Sequence, residues 1–311
     1  MGVLDKDPGV IRRQIELEEL NMKRANHFSG IIRTVSAMLA LVLVVGVMAV
    51  PAAAAGTDSW KSNLLTTDPL GVFGFKKELI GSVTFLDSLE SAPRNAWNLG
   101  KGASARVKGW VTWQDGLANI YIAAKGGVNG EKCAEALFED CTALEEISFG
   151  GAFHTETAES MKNMFHNCEN LLYVDTENLD TSSVTTMYQM FRNCYALEEL
   201  DLGSFDTSNV TNMYCMFSTC YSLKELDLSK FNTSKVTNMA FMFSACRALE
   251  KVNVSRFDTA KVTNMEGMFR WCDLLEEPDL GSWNVSRVEN YSGFMNEGMT
   301  INGRPWREFF R

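Results

Sequence analysis

The sequence predicts an α/β solenoid of stacked 26-residue turns, each running strand, loop, helix, with a small β cap at its N-terminal end. Two observations carry this. Met161-Lys-Asn-Met-Phe165, Met187-Tyr-Gln-Met-Phe191, Met213-Tyr-Cys-Met-Phe217, Met239-Ala-Phe-Met-Phe243 and Met265-Glu-Gly-Met-Phe269 follow one another at 26-residue intervals. Cys168, Cys194, Cys220, Cys246 and Cys272 keep the same period, and Cys141 stands 27 residues before Cys168. A fixed period of this length marks an array in which no unit buries its own apolar face and stacked neighbours share one core.

The unit from Leu197 to Cys220 shows how each element is read. Leu197, Leu200 and Leu202 form the L-x-x-L-x-L pattern of a leucine-rich repeat, with Leu200 and Leu202 turned inward from a short strand. Ser204-Phe205-Asp206-Thr207-Ser208 reads as a loop whose side-chain oxygens accept the free N–H groups of a helix start. Val210, Met213, Met216, Phe217 and Cys220 then recur at the spacing of one helix face. The Met and Phe columns are read as core.

The ends depart from the pattern, as capping units do. Residues 56–130 do not repeat. There Ser82-Val-Thr-Phe-Leu86 reads as a strand, and Gln114-Asp-Gly116 between two β-rich runs reads as a hairpin turn. These residues are expected to form the β cap that keeps other strands off the first turn. The repeats occupy 131–298, and 299–311 form a polar and aromatic capping tail.

Residues 1–55 read as an N-terminal extension and a signal peptide. Lys23, Arg24 and Arg33 precede an uncharged run from Thr34 to Ala55, which ends in Pro51-Ala-Ala-Ala-Ala55. Cleavage is expected near Ala55. The alternative is a permanent anchor, since the run is long enough to span a bilayer. Met22-Lys23-Arg24 resembles a natural start, so residues 1–21 are expected to be an over-extended one. No wall-anchoring tail is expected at the other end.

The net charge is −10, and the first 55 residues carry six basic and five acidic side chains, leaving 23 basic and 34 acidic beyond them. That balance excludes a nucleic-acid partner, which requires a basic stripe. The three histidines include His154 in a loop and His166 beside a core Phe, and neither has the surroundings of a catalytic or metal-binding residue. No C-x-x-C, H-E-x-x-H, G-x-S-x-G or phosphate-loop motif occurs, so no enzyme, cofactor or metal is expected. Six of the eight cysteines occupy equivalent positions and point in parallel, which disfavours disulfides between neighbours and favours buried thiols.

The repeat resembles that of BspA-like bacterial leucine-rich-repeat surface proteins, the mycoplasma-type lipoprotein repeat family. Leu223-Lys-Glu-Leu-Asp-Leu-Ser-Lys-Phe231 and its continuation Asn-Thr-Ser-Lys-Val-Thr-Asn-Met239 carry the resemblance. So do Ser82-Val-Thr-Phe-Leu-Asp-Ser88 and Tyr121-Ile-Ala-Ala-Lys-Gly-Gly-Val128 in the lead-in. The resemblance implies a secreted or cell-surface protein engaged in adhesion or protein binding. Its partner would be a protein of a host or neighbouring cell, or a surface glycan, with membrane contact only through an uncleaved 34–55 segment. The alternative is a structural surface-layer component that associates with itself.

On the predicted strands, the residues flanking the inward ones form two outward columns. Glu146, Tyr173, Glu199, Glu225, Lys251 and Glu277 make the first, and Ser148, Asp175, Asp201, Asp227, Asn253 and Asp279 the second. One reading is a solvated face kept polar for solubility. The other is a recognition surface for a basic partner or divalent cations. On that reading Tyr173, Asp175, Glu199, Asp201, Glu225, Asp227, Glu277 and Asp279 are the binding residues, with Tyr173 as aromatic anchor.

Overall fold

A computed structural model describes residues 69–100, 106–130 and 134–311. The signal peptide and start expectations fall on residues outside these. The described residues form short strands in several small sheets, joined by tight turns, and among them there is no α-helix. Among the described residues only three single 3-10 turns occur, at Gly71–Phe73, Lys77–Leu79 and Trp306–Glu308. The expected α/β solenoid with a helix in every turn is therefore wrong.

The segment expected to be helical is a run of successive β-turns. In the repeat at Met161, the N–H groups of Met164, His166 and Cys168 donate to the carbonyls of Met161, Asn163 and Phe165, three residues back. The intervening N–H groups leave the repeat. Met161, Asn163, Phe165 and Asn167 donate to the carbonyls of Thr186, Tyr188, Met190 and Arg192, at 2.9–3.2 Å. Two residues per repeat have positive φ, at Asn163 and Asn167, Gln189 and Asn193, Cys215 and Thr219, Phe241 and Ala245, and Gly267 and Trp271. A left-handed residue every fourth position is incompatible with a continuous right-handed helix. It sits at the third residue of each Met-x-x-Met turn, where a type II turn needs it.

Apolar residues at offsets of three and four therefore share one face here as they would on a helix, and they are the core. Phe138, Phe165, Phe191, Phe217, Phe243 and Phe269 stack nearly parallel, with centroids 4.9–5.9 Å apart and planes within 15°. Met and Cys columns on either side are fully buried. Each thiol below the first reaches the previous unit: Cys168, Cys194, Cys220, Cys246 and Cys272 donate to the carbonyls of Phe138, Phe165, Phe191, Phe217 and Phe243, at 3.0–3.2 Å. Cys168, Cys194, Cys215, Cys220, Cys246 and Cys272 are buried free thiols. Burial pushes Cys168, Cys194, Cys246 and Cys272 well above the ordinary thiol range.

The third side of each coil is held by hydroxyls. Thr155, Thr181, Thr207, Thr233 and Thr259 are buried and donate to carbonyls 25 residues on, at 2.8–3.1 Å. The Asp expected to cap a helix instead closes a local turn, and Asn does the same at the equivalent position of other repeats. Asp180, Asp206, Asn232, Asp258 and Asn284 each accept the N–H two residues later, at 2.8–3.1 Å. The extra residue of the first, 27-residue interval lies at Gly150-Gly151. Both have positive φ, so the loop bulges there and the register recovers by Thr155.

The N-terminal part is joined to the repeats by main-chain pairing. Strands β1 (Ile80–Leu86), β2 (Trp97–Asn98), β3 (Lys108–Gln114) and β4 (Leu117–Ala123) precede a short β5 (Val128–Asn129). β3 and β4 are an antiparallel hairpin with Trp110 stacked on Tyr121, and Asp115 and Gly116 both have positive φ, as a two-residue type I′ turn requires. The first repeat contributes β6 (Glu146–Ser148) and β7 (Phe153–His154), and the second β8 (Tyr173–Val174). β1 lies between β4 and β6 and is parallel to both, giving one sheet in the order β2-β3-β4-β1-β6-β8. Further along, β9 (Glu225–Asp227) and β10 (Lys251–Asn253) make a separate parallel pair.

The strands expected at 199–201 and 277–279 do not form. Leu200 is only half-buried, against 3% exposure for Leu226. In the last repeat Pro278 takes the Leu226 position and has no N–H for a ladder. A hairpin of β11 (Thr300–Ile301) and β12 (Arg304–Pro305) follows, and Ile301 and Trp306 close the core at that end.

Two outcomes follow from this packing. Leu226→Asp would bury an unpaired charge among stacked coils and should cost about 3–5 kcal/mol, read as loss of most of the cooperative urea transition. A variant melting like the parent would show that Leu226 does not face the core. Thiol reagent should leave Cys168, Cys194, Cys215, Cys220, Cys246 and Cys272 of the folded chain almost untouched. In denaturant it should label them without prior reduction, whereas labelling that needs a reductant would mean disulfides.

Candidate functional site

The outward columns expected from the sequence are carried by β6, β8, β9 and β10, so they are split between two sheets. Register places Glu146 beside Tyr173 and Glu225 beside Lys251. Glu199 and Asp201 are exposed between β8 and β9, and Glu277 and Asp279 are exposed beyond β10.

The second column is occupied with holding the fold. Asp175 accepts the N–H groups of Phe149 and Gly150 at 2.9 and 3.1 Å and the hydroxyl of Ser148 at 3.2 Å. It thereby ties down the Gly150-Gly151 loop of the preceding repeat. Asp201, Asp227 and Asp279 accept the N–H groups of Gly203, Ser229 and Gly281 at 2.8–3.0 Å, and Asn253 does the same for Ser255 less closely. These turns follow β9, β10 and the equivalent segments 199–201 and 277–279. The main-chain N–H of Ser229, then its hydroxyl, holds the Asp227 carboxyl below the usual carboxylate range. The Ser208 hydroxyl, then its N–H, does so for Asp206 on the adjoining side.

The first column faces solvent. Tyr173 is 44% exposed and its neighbour Leu172 53%, two large apolar side chains together at the surface. Partial burial raises the Tyr173 phenol, and the charges of Asp175, Glu177 and Glu146 add to it. Glu225 lies 3.6 Å from Lys251, an exposed pair. Glu277 accepts the N–H of Gly303 at 2.9 Å, so the last carboxylate of the column holds the C-terminal hairpin.

His154 and His166 are tied into local structure. His154 contacts the Glu156 carboxylate and the Gly126 carbonyl, each at 3.1 Å, and His166 lies 3.0 Å from Glu139. Among the described residues no group of three His, Cys, Asp or Glu is placed to hold a metal ion. None of their helices is long and apolar enough to cross a membrane.

The turns between the strand positions carry further aromatic features at the surface. Tyr188 stacks on Tyr214, and Tyr195 on Tyr221, each at 5.0 Å. Arg247 lies over the Tyr221 ring, and Arg270 covers one face of Trp271, which is 49% exposed. The signal was present, since Tyr188 and Tyr214, like Tyr195 and Tyr221, occupy identical repeat positions.

The coils so described coincide with a known family. The family described as Mycoplasma protein of unknown function, DUF285, matches residues 132–250 and 200–306, together more than half of the chain. The chain belongs to this family. No curated protein and no solved structure matches it. The DUF285 matches cover the repeats, and β1 to β4 lie before them.

If the Asp227 carboxylate serves the turn after β9, Asp227→Ala should lower stability by about 1 kcal/mol while Asp227→Asn changes it little. Urea unfolding distinguishes the two. The depressed carboxyls of Asp206 and Asp227 contribute stability above about pH 4 that is lost as the pH falls through their lower folded values. Asp227→Ala should therefore flatten the acid limb of the stability profile.

Proposed function

We propose that this DUF285 protein is a binding module, secreted or held at the cell surface, of the BspA-like leucine-rich-repeat kind. It recognises a protein or a surface glycan and catalyses no reaction. The observation that carries this is the exposed pair Leu172 and Tyr173, with Glu146 beside Tyr173 in the sheet and the exposed Glu199 and Glu225 at the equivalent positions of the following repeats. An aromatic residue with carboxylates around it suits a partner that offers an apolar contact within a basic surface. The acidic balance beyond residue 55 supports the same partner. Asp175, Asp201, Asp227 and Asp279 support recognition indirectly, by setting the turns that hold the first column in place.

The test compares the parent chain with Tyr173→Ala and with Glu199→Gln combined with Glu225→Gln. Each is immobilised and presented with candidate surface proteins and glycans at low and physiological salt. Tyr173→Ala should weaken binding about tenfold or more, as loss of a central aromatic anchor does. The double variant should weaken binding mainly at low salt, because screening already removes much of the charge attraction at higher salt. Equal binding by all three chains at every salt concentration removes this face from consideration. Assembly into large species at high concentration would favour the surface-layer alternative.

A further inference from the structure

We propose that Asn302 is a site of spontaneous conversion to isoaspartate and aspartate, with Glu277 as the proton acceptor. Asn302 and Gly303 form the two-residue loop between β11 and β12, where Thr300 pairs with Pro305 and Ile301 with Arg304. Both loop residues have positive φ, both are exposed, and a Cβ at Gly303 would meet nothing within 4 Å. The loop is thus open around Gly303. Its proton already points at the Glu277 carboxylate, 2.9 Å away.

The step balances as follows. The Gly303 nitrogen attacks the Asn302 amide carbon and forms a five-membered imide. Its proton passes to Glu277 and on to the departing amide nitrogen, which leaves as ammonia. Water then opens the imide on either side, giving aspartate or isoaspartate. No oxidant or cofactor is needed. A positioned base speeds proton transfer in such a step.

The chain contains its own comparison. Asn129-Gly130 is the same dipeptide, yet Asn129 is 4% exposed and a Cβ at Gly130 would lie 2.3 Å from the Phe153 ring. Gly130 donates its N–H to the His154 carbonyl at 2.8 Å, an oxygen that cannot take up the proton. Isoaspartate would add a methylene to the main chain of a loop that has room for two residues, with a new charge beside Glu277. The hairpin that carries Ile301 and leads into Trp306 would lose its register.

Peptide mass mapping of the full folded chain, held at mildly alkaline pH, tests this. Asn302 should acquire the mass of the acid, with part of the product as isoaspartate, while Asn129 stays an amide. Glu277→Gln keeps an acceptor for the Gly303 N–H but removes the base, and should slow conversion about tenfold or more. Glu277→Asp, which withdraws the carboxylate by one methylene, should also be slower than the parent. The proposal fails if Asn302 converts no faster than Asn129. It fails equally if both Glu277 variants, folded as shown by an unchanged melting transition, convert as fast as the parent.

Discussion

The constraint on which the repeats depend is the pairing of main-chain polar groups between one coil and the next. A buried N–H without an acceptor is costly, so every coil must place its donors in two directions at once. Alternate N–H groups close a turn three residues back, and the others reach a carbonyl 25 residues ahead. Left-handed residues at two positions per coil make that alternation possible. Given it, side chains at offsets of three and four fall on one side, and the Phe, Met and Cys columns follow. The thiols extend the same rule to side chains, each reaching the Phe carbonyl of the previous coil.

This explains what the sequence could and could not tell. The period, the buried columns and the Asp115-Gly116 hairpin were all legible, because they rest on spacing and on the apolar or turn-forming character of single residues. The helix was misread because Val210, Met213, Met216, Phe217 and Cys220 share a face in either conformation. Hydrophobic spacing reports which side chains meet, and it is blind to whether an N–H bonds within the chain segment or to the next coil. A finer signal was available. Asn163, Asn167, Asn193 and Gly267 fall at the two left-handed positions, where Asn and Gly are at ease. Gln189, Thr219, Phe241 and Trp271 at the same positions obscured it.

The candidate face was legible in the same partial way. Alternation along a strand identifies which residues point outward, and the exposed Tyr173, Glu199 and Glu225 are such residues. It does not say what an outward carboxylate is bonded to. Asp201, Asp227 and Asp279 resemble their neighbours in charge, yet each is spent on an N–H two residues ahead. Their position immediately before a Gly or Ser turn distinguishes them from the glutamates two residues earlier.

The coil-to-coil spacing also sets the currency in which this architecture can change length. A single inserted residue inside a coil would put the donors whose pairing spans it opposite the wrong carbonyls, unless a loop bulges to absorb it as Gly150-Gly151 does. A whole 26-residue unit, by contrast, brings its own columns and its own donors and leaves both junctions as they were. The array therefore changes length with least disruption in whole 26-residue units. The two overlapping family matches, 132–250 and 200–306, express the same translational equivalence. A surface carried by such coils can be extended or trimmed without rebuilding either end.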